Sequence, residues 1–172
     1  GGIKVDGTSF HHGGHYPGYS VGAFGVLGDY CWFTKDTDFA IDEPARRVFK
    51  HTLMTLLDYC NLRDWGVGVC GRHPFNGAIP EKDVEAFARL ALLGDLTGNG
   101  QSADPELGGA FLLLAGKDKN LQTAMKLAGI KPLTPKEGFR VYNYGGFGLH
   151  RRGDWMITLK GYNSDVWSTE IY

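Results

Sequence analysis

From Ser20 to about Gly129 the apolar residues recur at helical spacing. Ser20 is placed to cap a segment carrying Val21, Phe24, Leu27 and Cys31. Asp42-Glu43-Pro44 opens a second helix, with Val48, Leu53, Leu56, Leu57 and Cys60 inside it. Pro80-Glu81 opens a third, with Val84, Phe87, Leu90 and Leu93 on one face and Gly94 as its stop. Asp104-Pro105-Glu106 begins a fourth that ends at Gly116, and Asp118 a fifth that ends at Gly129. Acid or proline at the entrance and glycine at the exit is the polarity that helix ends prefer. After Lys131-Pro132-Leu133-Thr134-Pro135 the period drops to two. Phe139 and Val141, then Trp155, Ile157 and Leu159, alternate with polar residues as half-buried strands do, and Arg152-Gly153-Asp154 reads as a turn. The pattern predicts an α+β chain: a helical array over 1–131, then the start of an antiparallel sheet over 132–172. Residues 166–172 read as a strand with no stop signal, and so few strands leave an open edge. That open edge predicts a segment of a longer protein.

Composition narrows this picture. At 172 residues with 42% apolar and 22% charged side chains, the chain can bury a core and is not of the disordered class. A formal net charge of −1 argues against a nucleic-acid grip, which needs clustered Lys and Arg. No apolar run approaches the length of a membrane span, and no signal peptide is present from which to read an export route. Cys31, Cys60 and Cys70 have no metal-type spacing. They read as buried thiols, with one disulfide and a spare as the alternative.

The densest chemistry lies in His11-His12-Gly13-Gly14-His15-Tyr16-Pro17-Gly18-Tyr19. Its glycines and proline predict an irregular surface loop, the kind of segment where catalytic groups concentrate. His12 and Tyr19 could meet over a substrate as a proton-transfer pair, or merely pack at a helix entrance. A zinc site from His11, His12 and His15 lacks both a helical i,i+4 histidine pair and any nearby Cys or carboxylate triad. In Gly71-Arg72-His73-Pro74-Phe75-Asn76 the guanidinium offers a planar fork for a carboxylate or sulfate, unless a surface acid takes it. Glu170, on the last strand, is either functional or a solvated outward residue. Asp95-Leu-Thr97-Gly-Asn99-Gly100 with Glu106 approaches a calcium loop. Thr97 and Ala103 at ligand positions favour a capped connection between helices instead. Trp32, Trp65, Trp155 and Trp167 could stack on sugars or fill the core.

Five blocks together point further. Asp6-Gly-Thr8, His12-x-x-x-Tyr16-Pro-Gly-Tyr19-Ser, Gly-Arg72-His73-Pro-Phe-Asn76, Gly-x-His150-Arg and Tyr162-Asn-x-x-Val-Trp167-Ser-x-Glu170-Ile-Tyr occur in this order. The set resembles the chondroitin sulfate ABC lyases, within the hyaluronate and chondroitin lyase family of polysaccharide lyases. The resemblance implies the end of an α/α toroid over 1–131 and the first strands of a β-sandwich over 132–172. It also implies β-elimination on chondroitin sulfate, dermatan sulfate or hyaluronan, in a bacterial periplasmic or extracellular enzyme. Its quartet falls on His12, Tyr19, Arg72 and Glu170. Tyr19 would donate a proton to the leaving oxygen, and His12 would act as a base or assist the carboxylate. Arg72 would stabilise the carboxylate or favour a phenolate, and Glu170 would orient Arg72 or His12. Substrate contacts would come from His11, His73, Asn76 and Trp167. This segment calls for no cofactor of its own, and a divalent cation is left to the parent enzyme. The remaining domains of the parent chain are its expected protein partners. The chain departs from the family pattern at His11, Gly13 and His15, where a basic, an acidic and an amide residue are the rule, and this bears on substrate preference. Rival readings are a non-catalytic glycosaminoglycan-binding homologue, a toroidal glycoside hydrolase, which needs a carboxylate pair, and a metal-binding module.

Overall fold

The computed structural model describes residues 2–11, 13–66, 69 and 77–164. Among them are a small antiparallel sheet of β1 (Gly2–Ile3), β2 (Ser9–His11) and β3 (Gly14–His15), then helices α1 (Pro17–Thr34), α2 (Glu43–Asp58), α3 (Glu81–Ala91), α4 (Pro105–Leu113) and α5 (Lys119–Leu127). A second antiparallel sheet, β4 (Gly138–Tyr142), β5 (Phe147–Arg152) and β6 (Trp155–Lys160), follows. The class is α+β. Residues divide into two units, one of 1–21, 55–79 and 135–172, the other of 22–54 and 80–134.

Capping chemistry sets the helix ends. Asp42 Oδ1 accepts from the Ala45 N–H at 2.8 Å, Asp104 Oδ1 from Glu106 and Leu107, and Asp118 Oδ1 from Asn120 and Leu121. Helix α1, however, starts three residues before the expected Ser20 cap. Proline has a helix-compatible φ and no N–H to satisfy, so Pro17 takes the first helical position. Ser20 then lies inside the first turn, with its hydroxyl donating to the Tyr16 carbonyl at 3.4 Å. Helix α2 stops at Asp58, so Cys60 falls beyond it.

In the helical unit, Phe24, Phe49, Leu53, Phe87, Leu90, Leu107 and Phe111 are buried, and α3 packs on α4 and α5. Asp104 is fully buried and fully used: beside its cap, Oδ2 accepts from the Leu96 N–H and from Lys50 Nζ at 2.7 Å. Burial draws the Lys50 ammonium down, but hydrogen bonds to Asp104 and Glu106 outweigh it and hold its pKa above the ordinary value. Asp83, in the first turn of α3, is buried and accepts the Gly25 N–H of α1 at 3.0 Å.

The other unit holds both sheets, with a core that includes Tyr16, Tyr59, Trp65, Phe147 and Leu149. Its second sheet has the expected strands, but the expected faces are exchanged. Phe139, Val141, Trp155, Ile157 and Leu159 share the solvent face, each about half exposed or more. Arg140, Tyr142, Phe147, Leu149 and Arg151 share the other. The cause is the end of α2, whose carbonyls need donors. Arg151 Nη2 donates to the Cys60 carbonyl at 2.6 Å and to that of Asp58 at 3.3 Å. Arg140 and the Tyr142 hydroxyl both donate to Asp58 Oδ2. Burial, then the Asp58 hydrogen bond, push the Tyr142 phenol far above its usual range. Polar demand from the helix end chooses the inward face.

Candidate functional site

The histidine-rich segment is not the irregular loop its glycines predict. It is an antiparallel pair, with Phe10 opposite His15 and His11 opposite Gly14, running directly into α1. Gly14 is required here: a Cβ would stand 2.7 Å from Tyr16 Cζ, inside the contact distance. The fully buried Tyr16 therefore closes down on the strand, and its carbonyl accepts the Tyr19 N–H at 3.1 Å. Tyr19 is the third residue of α1 and is half-buried. Its ring stacks on the exposed His11 at 5.1 Å between centroids and 26° between planes. Tyr16 meets Tyr19 edge-on at 6.0 Å.

The structure thus brings His11 and Tyr19 together. The stack fixes the orientation of the phenol beside an exposed imidazole. His12, Arg72, His73, Asn76, Trp167 and Glu170 lie outside the described residues, as do Cys70 and the expected strand over 166–172.

His15 has another fate. It is fully buried, and its Nδ1 lies 3.0 Å from the Ser9 carbonyl oxygen, so Nδ1 carries the proton. Phe10, Tyr59 and Phe147 stand around the ring, with Tyr59 edge-on at 5.3 Å. Nε2 is buried and has no hydrogen-bond partner among the described residues. Burial chiefly, with the neighbouring Lys160 adding to it and the Ser9 bond opposing, lowers its pKa to about 4. An imidazole with no exposed surface cannot touch a polysaccharide, so this departure from the family pattern does not act by direct contact with substrate.

Two further residues support this corner. Asp6 Oδ1 accepts from the Thr8 N–H and hydroxyl, while Oδ2 accepts the Tyr144 N–H at 2.9 Å. Thr55 donates to the Asp6 carbonyl. Asp6 therefore staples the β1–β2 connection to the β4–β5 turn. Its Asx-turn chemistry is legible in Asp6-Gly-Thr8, but its reach to Tyr144 is not. Lys160 Nζ donates to the Gly145 carbonyl, and burial pulls its pKa down to about 8.

Among the described residues no group of three or more His, Cys, Asp or Glu side chains is placed to hold an ion. Asp95 spends its carboxylate on Thr97, Asn99 and Gln101, led by the Thr97 hydroxyl, which lowers its pKa to about 2. Glu106 turns to Lys50. The near-calcium loop is a self-capped connection. Cys31 and Cys60 are buried free thiols, both pushed up by burial, and neither is a ready nucleophile. Of the tryptophans, Trp65 is core, Trp32 lies under Lys35, and Trp155 is exposed and stacked on His150 at 5.6 Å.

Known proteins resemble this sequence. The family model described as "Lyase, catalytic" matches residues 1–121. The chain is 35% identical over 171 residues to a chondroitin sulfate ABC endolyase of Proteus vulgaris, covering 99% of this chain and 16% of that protein. It is 28% identical to a chondroitin sulfate ABC exolyase of Bacteroides thetaiotaomicron and 27% identical to an exolyase of that name from Proteus vulgaris, covering 18% and 17% of their lengths. The chain therefore spans less than a fifth of each of these curated relatives. With a family match over more than half its residues and likeness to chondroitin sulfate ABC lyases along its whole length, the chain belongs to the lyase catalytic-domain family.

Proposed function

We propose that this chain carries the catalytic centre of a polysaccharide lyase that cleaves chondroitin sulfate and dermatan sulfate, and also hyaluronan, by β-elimination. In such a reaction the proton at carbon-5 of a hexuronate is removed and the oxygen at carbon-4 leaves, so that an unsaturated uronate remains. The observation that carries the reading is the 35% identity to a chondroitin sulfate ABC endolyase along 99% of the chain, with Tyr19 at the entrance of α1 inside the stretch matched by the lyase family.

In this reading Tyr19 gives its proton to the departing oxygen, and takes the carbon-5 proton for one uronate epimer. His12 serves as base for the other epimer or helps hold the carboxylate. Arg72 neutralises that carboxylate, without which the carbon-5 proton is too weakly acidic, and favours the enolate-like intermediate. Glu170 orients Arg72 or His12. His11, His73, Asn76 and Trp167 contact the sugar chain. The helices over 1–131 form the end of an α/α toroid and 132–172 the first layer of a β-sandwich. The apolar solvent face of β4–β6 supports the sandwich, since a second layer would cover it. The enzyme acts in the periplasm or outside the cell, where its polymeric substrates are.

The test follows near-ultraviolet absorbance of the full-length protein with chondroitin sulfate and with dermatan sulfate. Wild type should produce conjugated unsaturated ends from both, and Tyr19→Phe should lower turnover by at least about 100-fold, the scale of a lost general acid. Reducing ends without absorbance would replace elimination by hydrolysis. Polymer binding without any product would favour a non-catalytic glycosaminoglycan-binding protein.

A further inference from the structure

His15 is a histidine that no proton transfer in the proposed reaction uses, yet the segment bearing Tyr19 is built around it. Its neighbours come from four stretches of the chain. Phe10 belongs to β2, Tyr59 follows α2, Phe147 opens β5, and Gly145 lies in the β4–β5 turn. A Cβ at Gly145 would lie 3.0 Å from Thr8 Cγ2 and 3.3 Å from His15 Cδ2, so glycine lets that turn close on the ring edge that carries Nε2 without displacing its neighbours. The charged groups whose fields reach the imidazole are Lys160 of β6, which opposes a second positive charge, and Asp6 of the β1–β2 connection, which favours one. Tyr59 presents a neutral phenol, kept protonated by burial and by the nearby Cys60 and Tyr142. Burial exceeds the Asp6 effect, so the neutral ring is the form this cage fits.

Sequence links the cage to the chemistry. Tyr16 adjoins His15, Pro17 begins α1, and Tyr19 is one turn from the cage. We infer that His15 is a positioning residue for Tyr19: as a neutral imidazole it pins β3 into the ring cage and fixes the entry of α1, and a proton on Nε2 frees that entry. The inference rests on the reading of Tyr19 as the proton donor. The sign of the effect follows from linkage. A histidine with a lowered folded pKa binds fewer protons when caged than when released. The caged form is therefore favoured at neutral pH and loses ground as pH falls, by up to about tenfold per pH unit between its ordinary value and about 4.

The experiment measures kcat and KM of the full-length protein on chondroitin sulfate from pH 4.5 to 8, with ellipticity recorded at each pH. Wild type is compared with His15→Asn, whose amide N–H replaces Nδ1 as donor to Ser9 but takes up no proton. Lys160→Met keeps His15 and removes the adjacent cation. The expected result is an acid fall in wild-type kcat, at constant KM and ellipticity, that is shallower in both variants. The ratio of kcat at pH 5 to that at pH 7 should rise at least about threefold in His15→Asn. Superimposable normalised profiles, a change confined to KM, or an acid fall that tracks loss of ellipticity would overturn the inference while leaving the lyase reading intact. No unsaturated product from wild type at any pH would overturn both.

Discussion

Tyr19 and His15 sit four residues apart in one segment and play opposite parts. Tyr19 keeps a ring accessible beside an exposed imidazole, while His15 gives up solvent to become a packing element. Gly14, between them and the turn, is as exacting as either. Gly14→Ala places a methyl where Tyr16 already stands, and overpacking of this kind costs about 1–3 kcal/mol. Thermal unfolding should show that loss, and product formation should fall with it because Tyr16 leads straight into the Tyr19 turn. Normal stability in the variant would mean that Tyr16 can step aside. At this scale the sequence shows where chemistry is concentrated, since three imidazoles and two phenols in nine residues are visible in the letters. It does not show which imidazole is buried. That depends on Tyr59 and Phe147, which reach the segment from 44 and 132 residues away.

Among the elements, legibility tracks locality. Asp42, Asp104 and Asp118 cap helices through contacts two or three residues ahead, so their roles can be read from spacing. Pro17 outranks Ser20 for an equally local reason. Asp83 is different: its partner is the Gly25 N–H, 58 residues earlier. Burial raises the Asp83 pKa to about 7, against the pull of the Gly25 bond. The folded chain thus keeps a proton that the unfolded chain releases, and stability is lost as pH rises from the ordinary aspartate value through about 7. Asp83→Asn retains the acceptor and removes the charge. Urea unfolding should show the variant gaining about 1–3 kcal/mol more over wild type at pH 8 than at pH 4. An equal difference at both pH values would place the ionised carboxylate in the fold throughout. The Asp58 cluster has the same non-local character, since Arg140 and Tyr142 arrive from 82 and 84 residues away. Period-two alternation located the strands of the second sheet, but the donors needed by α2 decided which side turns inward.

At the scale of the whole molecule, five large apolar side chains on β4 and β6 face solvent together. A patch of that kind is a binding or aggregation surface. The chain over 1–172, produced by itself, should bind a hydrophobic dye and self-associate. Placing lysine at both Ile157 and Leu159 should reduce dye binding and raise solubility with unchanged helical ellipticity. If the substituted chain binds dye as strongly as before, the exposed surface lies elsewhere.

The staple from Asp6 to Tyr144 spans 138 residues, and it fixes an order of events during synthesis. Helix α1 can form as soon as its own residues leave the ribosome, because its hydrogen bonds are local. The walls around its entrance cannot: Phe147 and Lys160 are made more than a hundred residues later, and each closure costs chain entropy before it returns any contact. Tyr19 is thus made more than a hundred residues before the groups that complete its working geometry. A nascent chain halted before residue 160 would carry the phenol in an unfinished corner, the state on which chaperones and proteases act.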